Sequence, residues 1–233
     1  MGKTKETIKQ QTSAGSLLSG FVNSIIPLLK SKYFYFGLIS LAAGISLNIL
    51  SQVYLHNNLS KGAVFPPLSD LILDQIPVFD VSILYDLFCV LIFFIVAIYF
   101  IHKKEYGRIP YFFLLCGIFY IIRALFVVLT PLGNPENFNG SDPLFNGFMK
   151  YELGVYPSGH VGNSFLLLLL VNDKVYRYIL SFCLLVVVVT LLLAHCHYSI
   201  DILSGFFFAY AIKAFGDKYL KMFVLKYPQP ADH

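Results

Sequence analysis

The chain has 233 residues, of which 57% are apolar and 13% are charged, and its mean hydropathy is +0.70. Soluble globular domains have roughly 25% charged residues, so the composition excludes an ordinary soluble protein and indicates a membrane protein. The formal net charge is only +4, and the distribution of the basic residues is more informative than their sum. None of the four cysteines lies in a long polar loop, so the sequence does not predict a disulfide-stapled extracellular framework.

The apolar runs predict an all-α, polytopic membrane protein with six transmembrane helices, since each span needs about 20 apolar residues. An earlier apolar stretch at 16–29 is short and contains Pro27, which favours a helix lying at the membrane interface. We divide the chain into an N-terminal segment with this helix (1–32), a membrane domain (33–215) and a tail (216–233). The predicted spans, in chain order, are 33–54, 82–101, 110–130, 155–171, 178–194 and 200–215.

The basic residues alternate from loop to loop. Fourteen of the seventeen Lys and Arg residues fall in the N-terminal segment, in the second and fourth loops and in the C-terminal segment. The other loops contain only Lys61 and Lys150, together with six acidic residues. Because cytoplasmic loops are enriched in Lys and Arg, the sequence predicts that both termini are cytoplasmic. The first, third and fifth loops then lie on the extracytoplasmic side, which is periplasmic or external in a bacterium and lumenal in a eukaryote.

The seventeenth basic residue, Arg123, lies inside the third predicted span. It follows Pro110 by thirteen residues, which is roughly 20 Å of helix at about 1.5 Å per residue. This depth is in the outer half of the bilayer. A snorkelling side chain is one interpretation. We favour an inward-facing contact with an anion, because ionisable groups at membrane depth normally mark a functional site.

Two polar clusters lie on the predicted extracytoplasmic side, namely P-S-G-H at 157–160 and H-C-H-Y-S-I-D at 195–201. If the chain is helical from His197 onward, His197 and Asp201 share one helix face. The carboxylate would fix the tautomer of His197 and leave its other nitrogen free as a nucleophile toward phosphorus. His160 could protonate the leaving oxygen and later deprotonate the acceptor.

Other side chains would bind the phosphoryl group. Gly159 allows close backbone approach, and the helix amides that follow Ser158 favour an anionic oxygen. Arg123 could offset the charge on the phosphoryl oxygens. The predicted substrate-binding residues are Tyr120, Arg123, Ser158, Gly159, His195 and Tyr198.

Each cluster has a simpler interpretation. A lone histidine at a helix end is commonly an interfacial residue, and a lone His-x-x-x-Asp pair could be a structural hydrogen bond. A zinc site is the main chemical alternative, since imidazole and carboxylate groups both bind zinc. Its ligands would be His160, His195, His197 and Asp201. We favour phosphoryl transfer over a purely structural role, because both clusters occur on one predicted side of the membrane. The spacing of the four residues alone does not exclude zinc.

Together these motifs resemble those of the type 2 phosphatidic acid phosphatase superfamily, and more narrowly its sphingomyelin synthase branch. The sequence L-A-H-C-H-Y-S-I-D at 193–201 is similar to that branch's L-A-H-x-H-Y-T-x-D motif. The sequence Y-P-S-G-H at 156–160 is similar to its Y-S-G-H-T motif, with the proline of the phosphatase version. P-P-L-S-D at 66–70 and Y-I-I-R at 120–123 also resemble branch motifs, and the likeness covers about residues 33–215 in the same order.

The resemblance implies that His197 is the nucleophile, Asp201 its partner and His160 the acid–base, with no metal and no cofactor. It implies a phospholipid donor and a lipid alcohol acceptor such as ceramide or diacylglycerol, with phosphocholine or phosphoethanolamine as the transferred group. We expect no nucleic-acid partner, and a homo-oligomer is compatible with the sequence. The active site would be on the extracytoplasmic side of a multi-pass membrane protein.

The sequence departs from the family in ways that bear on the substrate. It lacks the K-x6-R-P motif of the broader phosphatases, and Val161 stands where the synthase branch usually has threonine. The missing basic residues argue against an ordinary phosphatase that grips a phosphomonoester. A lipid phosphatase or a phospholipase C-like hydrolase with the same site is the main alternative. A non-enzymatic transporter is a further one, although we find no internal duplication of the kind many transporters have.

Overall fold

The computed structural model describes residues 25–136 and 156–226, and this part of the chain contains helices and loops but no strand. The all-α prediction is therefore confirmed. Within these described ranges, five helices are long and apolar enough to cross a membrane, as expected of a multi-pass membrane protein. After a helical segment at 25–30, the α-helices are α1 (Lys32–Ser60), α2 (Ser82–Lys103), α3 (Ile109–Leu129), α4 (Gly159–Leu170), α5 (Lys174–Leu193) and α6 (Ser199–Tyr219).

The predicted interfacial helix at 16–29 falls mostly outside the described residues. Residues 25–30 are helical and end just before Ser31. The Ser31 side chain accepts a hydrogen bond from the Tyr33 amide at 3.3 Å and so caps α1. Asp173 caps α5 in the same way, accepting from the amides of Val175 and Tyr176.

Glycines allow α1 to lie against α3. A Cβ atom added at Gly44 of α1 would lie 2.5 Å from the backbone oxygen of Gly117 on α3, which is closer than side chains can pack. Small residues at such positions let helix backbones approach closely, as in many membrane helix pairs. This close contact brings the polar face of α1, which includes the buried Asn48, toward α3.

The described ends of the chain meet at one end of the helix bundle, which we call the terminal end. The α2–α3 connection and the end of α4 lie there too. Three contacts join these parts: the rings of Tyr33 and Phe223, whose centroids are 5.1 Å apart; the Leu225 amide and the Gly107 oxygen, at 2.8 Å; and Arg108 Nη2 and the Leu170 oxygen, at 2.7 Å.

The opposite end, which we call the loop end, gathers the segments 61–81, 130–136 and 194–198. Backbone and side-chain hydrogen bonds link all three segments, and Tyr198 is at their centre. Its hydroxyl accepts from the Leu68 amide at 2.9 Å and donates to the Gly133 oxygen at 3.0 Å. The Phe79 amide donates to the oxygen of Leu193, the last residue of α5, at 2.8 Å.

Helix α4 is shorter than the predicted fourth span, because only twelve of the described residues 156–171 are helical. At about 1.5 Å per residue it is roughly 18 Å long, which is less than a span requires. Its start nevertheless lies at the loop end, where the Ser158 amide donates to the Asp201 oxygen at 3.1 Å. Its last oxygen, on Leu170, accepts from Arg108 at the terminal end. The count of six spans therefore remains a prediction.

The described basic residues are unequally divided between the two ends. The loop-end segments contain Lys61 alone, and Arg123 lies within α3. The rest lie in or beside the terminal-end segments: Lys30, Lys32, Lys103, Lys104, Arg108, Lys174, Arg177, Lys213, Lys218, Lys221 and Lys226. This distribution matches the alternation in the sequence, whereas the cytoplasmic orientation of the terminal end remains a prediction.

Candidate functional site

The structure brings the three predicted catalytic residues together at the loop end. His160 is the second residue of α4, His197 lies in the turn between α5 and α6, and Asp201 is the third residue of α6. The two imidazole rings meet edge to face, with centroids 5.8 Å apart and an angle of 68° between their planes. Two residues 37 positions apart in the sequence thus form one polar cluster.

Asp201 joins the parts of this cluster. Its Oδ2 atom accepts a hydrogen bond from the Tyr198 amide at 2.9 Å and lies 3.3 Å from Nδ1 of His197. The side chain is fully buried, and its other oxygen has no hydrogen-bond partner among the described residues. Its backbone oxygen accepts from the Ser158 amide. One residue therefore connects the two motifs that the sequence places far apart.

The helical spacing expected for His197 and Asp201 is wrong, although the contact between them forms. Helix α6 begins at Ser199, so His197 precedes it and is not helical. The contact arises because Asp201, the third residue of the helix, reaches back to the amide of Tyr198, as the acidic residue of a capping box does. The helix cap therefore determines where the carboxylate lies relative to the imidazole.

Burial favours the neutral form of the His197 imidazole. The residue is 4% exposed, and this burial lowers the pKa of the imidazole below its ordinary value. Asp201 acts in the opposite sense, while His160 and Arg123 lower the pKa further. With Nδ1 facing the carboxylate, we assign the proton to Nδ1, and Nε2 then carries the free lone pair.

His160 is the more open of the two histidines, with 38% of its side chain exposed. Helix α2 provides its other neighbours. The ring of Tyr85 meets that of His160 edge to face at 5.3 Å, and Asp86 Oδ1 lies 3.5 Å from His160 Nε2. Sequence reasoning missed Asp86, although a signal was present, since Asp86 is the only charged residue in the predicted span 82–101.

Arg123 is buried beside the P-S-G-H turn. Its Nε donates to the Pro157 oxygen at 2.9 Å, and its Nη1 donates to Asn48 Oδ1 on α1. A Cβ atom added to Gly159 would lie 2.9 Å from Nε, so the guanidinium group lies against the backbone at the start of α4. The side chain is 7% exposed, which places it inside the bundle rather than in a snorkelling position. Asn48 is a further residue that the sequence did not single out.

Two other predicted substrate-binding residues lie near this turn. The Ser158 hydroxyl is fully buried and accepts from the Val161 amide at 3.3 Å, so it caps α4. Tyr120 is half-buried on α3, about one helical turn before Arg123, and lies beside Gly44 of α1.

His195 and Tyr198 have their observed contacts in the loops. His195 has a positive φ of 50°, and its Nε2 and Nδ1 atoms lie 2.9 Å from the Ile76 oxygen and 3.3 Å from the Glu136 oxygen. Together with Tyr198 it lines a cavity of about 310 Å³ between the loop-end segments. Because the imidazole of His195 faces these oxygens, the four-residue zinc site does not assemble. Among residues 25–136 and 156–226, no three His, Cys, Asp or Glu side chains are arranged to hold a metal ion.

In comparisons with known proteins, no family model and no curated sequence matches this chain. The resemblance to sphingomyelin synthases therefore rests on the motifs alone, and the function has to be argued from the site.

Proposed function

We propose that this protein is an integral membrane lipid phosphotransferase. It would move phosphocholine or phosphoethanolamine from a glycerophospholipid to a lipid alcohol such as ceramide or diacylglycerol. The observation that carries the proposal is the meeting of His160 with His197, because the two imidazoles differ in exposure and His197 has its own carboxylate. Such a pair provides a nucleophile and a proton carrier for one phosphorus atom.

In the first step, Nε2 of His197 attacks the phosphorus atom of the donor. A P–N bond forms, and the bond from phosphorus to the glycerol oxygen breaks. His160, in its imidazolium form, gives a proton to that oxygen, and diacylglycerol leaves. The low pKa of buried His197 favours this division of roles, because a neutral imidazole is the nucleophilic form.

In the second step, neutral His160 takes the proton from the hydroxyl group of the acceptor. The acceptor oxygen attacks phosphorus, the P–N bond breaks, and His197 is regenerated. Charge on the phosphoryl oxygens would be stabilised by Arg123, which Asn48 and the Pro157 oxygen hold in place. Since a phosphodiester donor carries less charge than a phosphomonoester, one buried guanidinium group is a suitable complement.

The membrane placement belongs to the same proposal. The loop end would face the extracytoplasmic side and the basic terminal end the cytoplasm. Both lipids would keep their acyl chains in the hydrocarbon region and present their polar groups to the histidine pair.

Hydrolysis by the same site is the second candidate function. The exposure of His160 favours it, because water could reach the imidazole that activates an acceptor. Water would then take the place of the lipid alcohol in the second step. The product distinguishes the two reactions, since hydrolysis releases the phospho-head group without requiring a lipid acceptor.

The experiment uses the purified full chain with labelled phosphatidylcholine or phosphatidylethanolamine, each with and without ceramide or diacylglycerol. Transfer predicts a labelled lipid product that appears only when an acceptor is added. Release of the head group alone would contradict transfer and favour the hydrolase. Absence of any phosphorus chemistry would contradict both and leave a transporter as the better interpretation.

His197→Ala is the decisive variant, and we expect it to lose all measurable turnover while remaining folded. His102→Ala is the matched control, because His102 is exposed on α2 near the terminal end and its Nδ1 lies 2.9 Å from the Tyr176 hydroxyl. This control should keep wild-type turnover. Retained activity in His197→Ala would exclude nucleophilic catalysis by that side chain.

A further inference from the structure

Asp86 is a buried carboxylate to which the two proposed steps give no role. It is 1% exposed, and its Oδ2 atom has no hydrogen-bond partner among residues 25–136 and 156–226. Burial of a carboxylate with one unpaired oxygen is unfavourable, and such groups call for a specific explanation. Its other oxygen, Oδ1, lies 3.5 Å from Nε2 of His160.

The packing of α2 against α4 holds this pair in place. One turn further along both helices, Cys89 Sγ lies 3.7 Å from Ser164 Oγ, so the two helices run side by side in the same direction. The ring of Tyr85 packs against the imidazole of His160. Each histidine therefore has its own carboxylate from a different helix: Asp86 on α2 for His160, and Asp201 on α6 for His197.

We propose that Asp86 is a positioning residue for the proton-carrying histidine, an inference that rests on the proposed phosphotransfer. Its carboxylate faces the Nε2–H group of His160 and stabilises the imidazolium form by charge. Nδ1 is then the nitrogen that gives its proton to the leaving oxygen and later takes one from the acceptor hydroxyl. Asp86 keeps its negative charge throughout and exchanges no proton.

This role predicts a dependence on the leaving group. The alkoxide of diacylglycerol is a poor leaving group and needs the proton of His160. A nitrophenolate leaves without one. In the first step, loss of Asp86 should therefore slow release of diacylglycerol from a phospholipid much more than release of nitrophenolate from an activated ester. The second step is common to both donors, and a general loss of structure would slow both releases equally.

The test compares single-turnover release of the leaving group by Asp86→Asn and by wild type with two donors, phosphatidylcholine and para-nitrophenyl phosphocholine. Because general acid catalysis contributes about 100-fold or more, we expect the rate with phosphatidylcholine to fall by about 100-fold. The rate with the nitrophenyl ester should fall much less. Asp80→Asn is the matched control, since Asp80 is an exposed carboxylate just before α2, and both of its rates should equal those of wild type.

Equal losses on the two donors, or no loss on either, would overturn the proposal. If Asp86→Asn does not fold, the test passes to Asp86→Glu, which keeps the charge but displaces it. The ratio of the phospholipid rate to the nitrophenyl rate should fall in this variant, and an unchanged ratio would overturn the proposal. Failure of the phosphotransfer itself looks different, because wild type would then be inactive on both donors and His197→Ala would change nothing.

Discussion

Asp201 acts on two neighbours through a single oxygen atom. Oδ2 caps α6 at the Tyr198 amide and also faces Nδ1 of His197. A substitution that keeps the shape but removes the charge, Asp201→Asn, weakens both contacts. Loss of a helix cap typically costs about 1 kcal/mol, and loss of the tautomer-fixing carboxylate should remove most of the turnover.

The first prediction concerns the pH dependence set by His197. The nucleophile must be neutral, and burial lowers its pKa, so activity in wild type should persist to a lower pH than an ordinary histidine would allow. Asp201 raises the pKa of His197, and the residual activity of Asp201→Asn should therefore extend to still lower pH. The profile of kcat/KM against pH measures both limits. An acid limit above the ordinary histidine value would contradict this account of the site.

A second prediction concerns Gly159. A methyl group there would meet Arg123 Nε at 2.9 Å, and the guanidinium group cannot move freely because Pro157 and Asn48 hold it. We expect Gly159→Ala to lower kcat by about tenfold or more, on the scale of a weakened charge-stabilising contact. Steady-state kinetics and a thermal unfolding curve distinguish this loss from unfolding. Unchanged kcat would show that the guanidinium position is not critical.

At the scale of elements, the loop after α1 binds the start of α6. Asp70 accepts from the amide of Ser199 at 2.6 Å and from its hydroxyl at 2.9 Å, and also from the amides of Ile72 and Leu73. The helix that carries Asp201 therefore begins against a carboxylate from a distant part of the chain. The sequence did not predict this contact. It indicated only that Asp70 belongs to a segment that resembles a family motif.

The third prediction follows from the charge of Asp70. Burial raises its pKa, but hydrogen bonds from the amide and hydroxyl of Ser199 and from two neighbouring amides outweigh that effect, so the pKa is lowered. A lowered carboxylate pKa adds stability that is present above the unfolded-state value and is lost as the pH falls through the folded-state value. Asp70→Asn should lower the thermal unfolding temperature at neutral pH. The unfolding temperature of this variant should also fall less than that of wild type as the pH is lowered.

Asp74→Asn is the comparison for this variant. Among the described residues, the Asp74 carboxylate accepts one hydrogen bond, from the Asp70 amide at 3.1 Å, and none from α6. The unfolding temperature of Asp74→Asn should fall less. Equal decreases of the unfolding temperature in the two variants would show that the contacts of Asp70 with α6 do not stabilise the fold specifically.

A fourth prediction concerns the pairing of α1 with α3. Gly44→Val places a branched side chain against the backbone of Gly117, where even one added carbon would lie 2.5 Å from oxygen. The helices should separate, and Asn48 should then no longer reach Arg123. We expect loss of folded protein, measured by size-exclusion chromatography in detergent. Ala42→Val, at an exposed position of the same helix, should have no such effect.

At the scale of the whole molecule, apolar runs predicted the long helices well because a membrane span requires about 20 consecutive apolar residues. The match is less close at the fourth predicted span, 155–171, where helix α4 (Gly159–Leu170) has twelve residues. The site was predictable in part. The polar clusters in the sequence predicted His160, His197 and Asp201 as site residues. The contact of Asp86 with α4 depends on how α2 packs against α4, and no local sequence pattern predicts that packing.

The fifth prediction tests the orientation of the bundle. Lys61 lies in the loop-end segments and Lys104 at the terminal end, and both are exposed. In sealed vesicles with the extracytoplasmic face outside, an impermeant thiol reagent should label Lys61→Cys and leave Lys104→Cys unlabelled until the membrane is opened. The native cysteines are buried or half-buried and give a low background. Labelling with the opposite pattern would reverse the proposed topology.

The double contact of the Asp201 carboxylate has an evolutionary consequence. Since one oxygen atom both starts α6 and aligns His197, a change at this position harms folding and turnover together. A lineage that lost its reaction but kept its bundle would still be selected to retain the aspartate. Among descendants of such a lineage, His197 would be substituted before Asp201. The presence of the histidine, rather than of the aspartate, would therefore indicate that a homologue is still active.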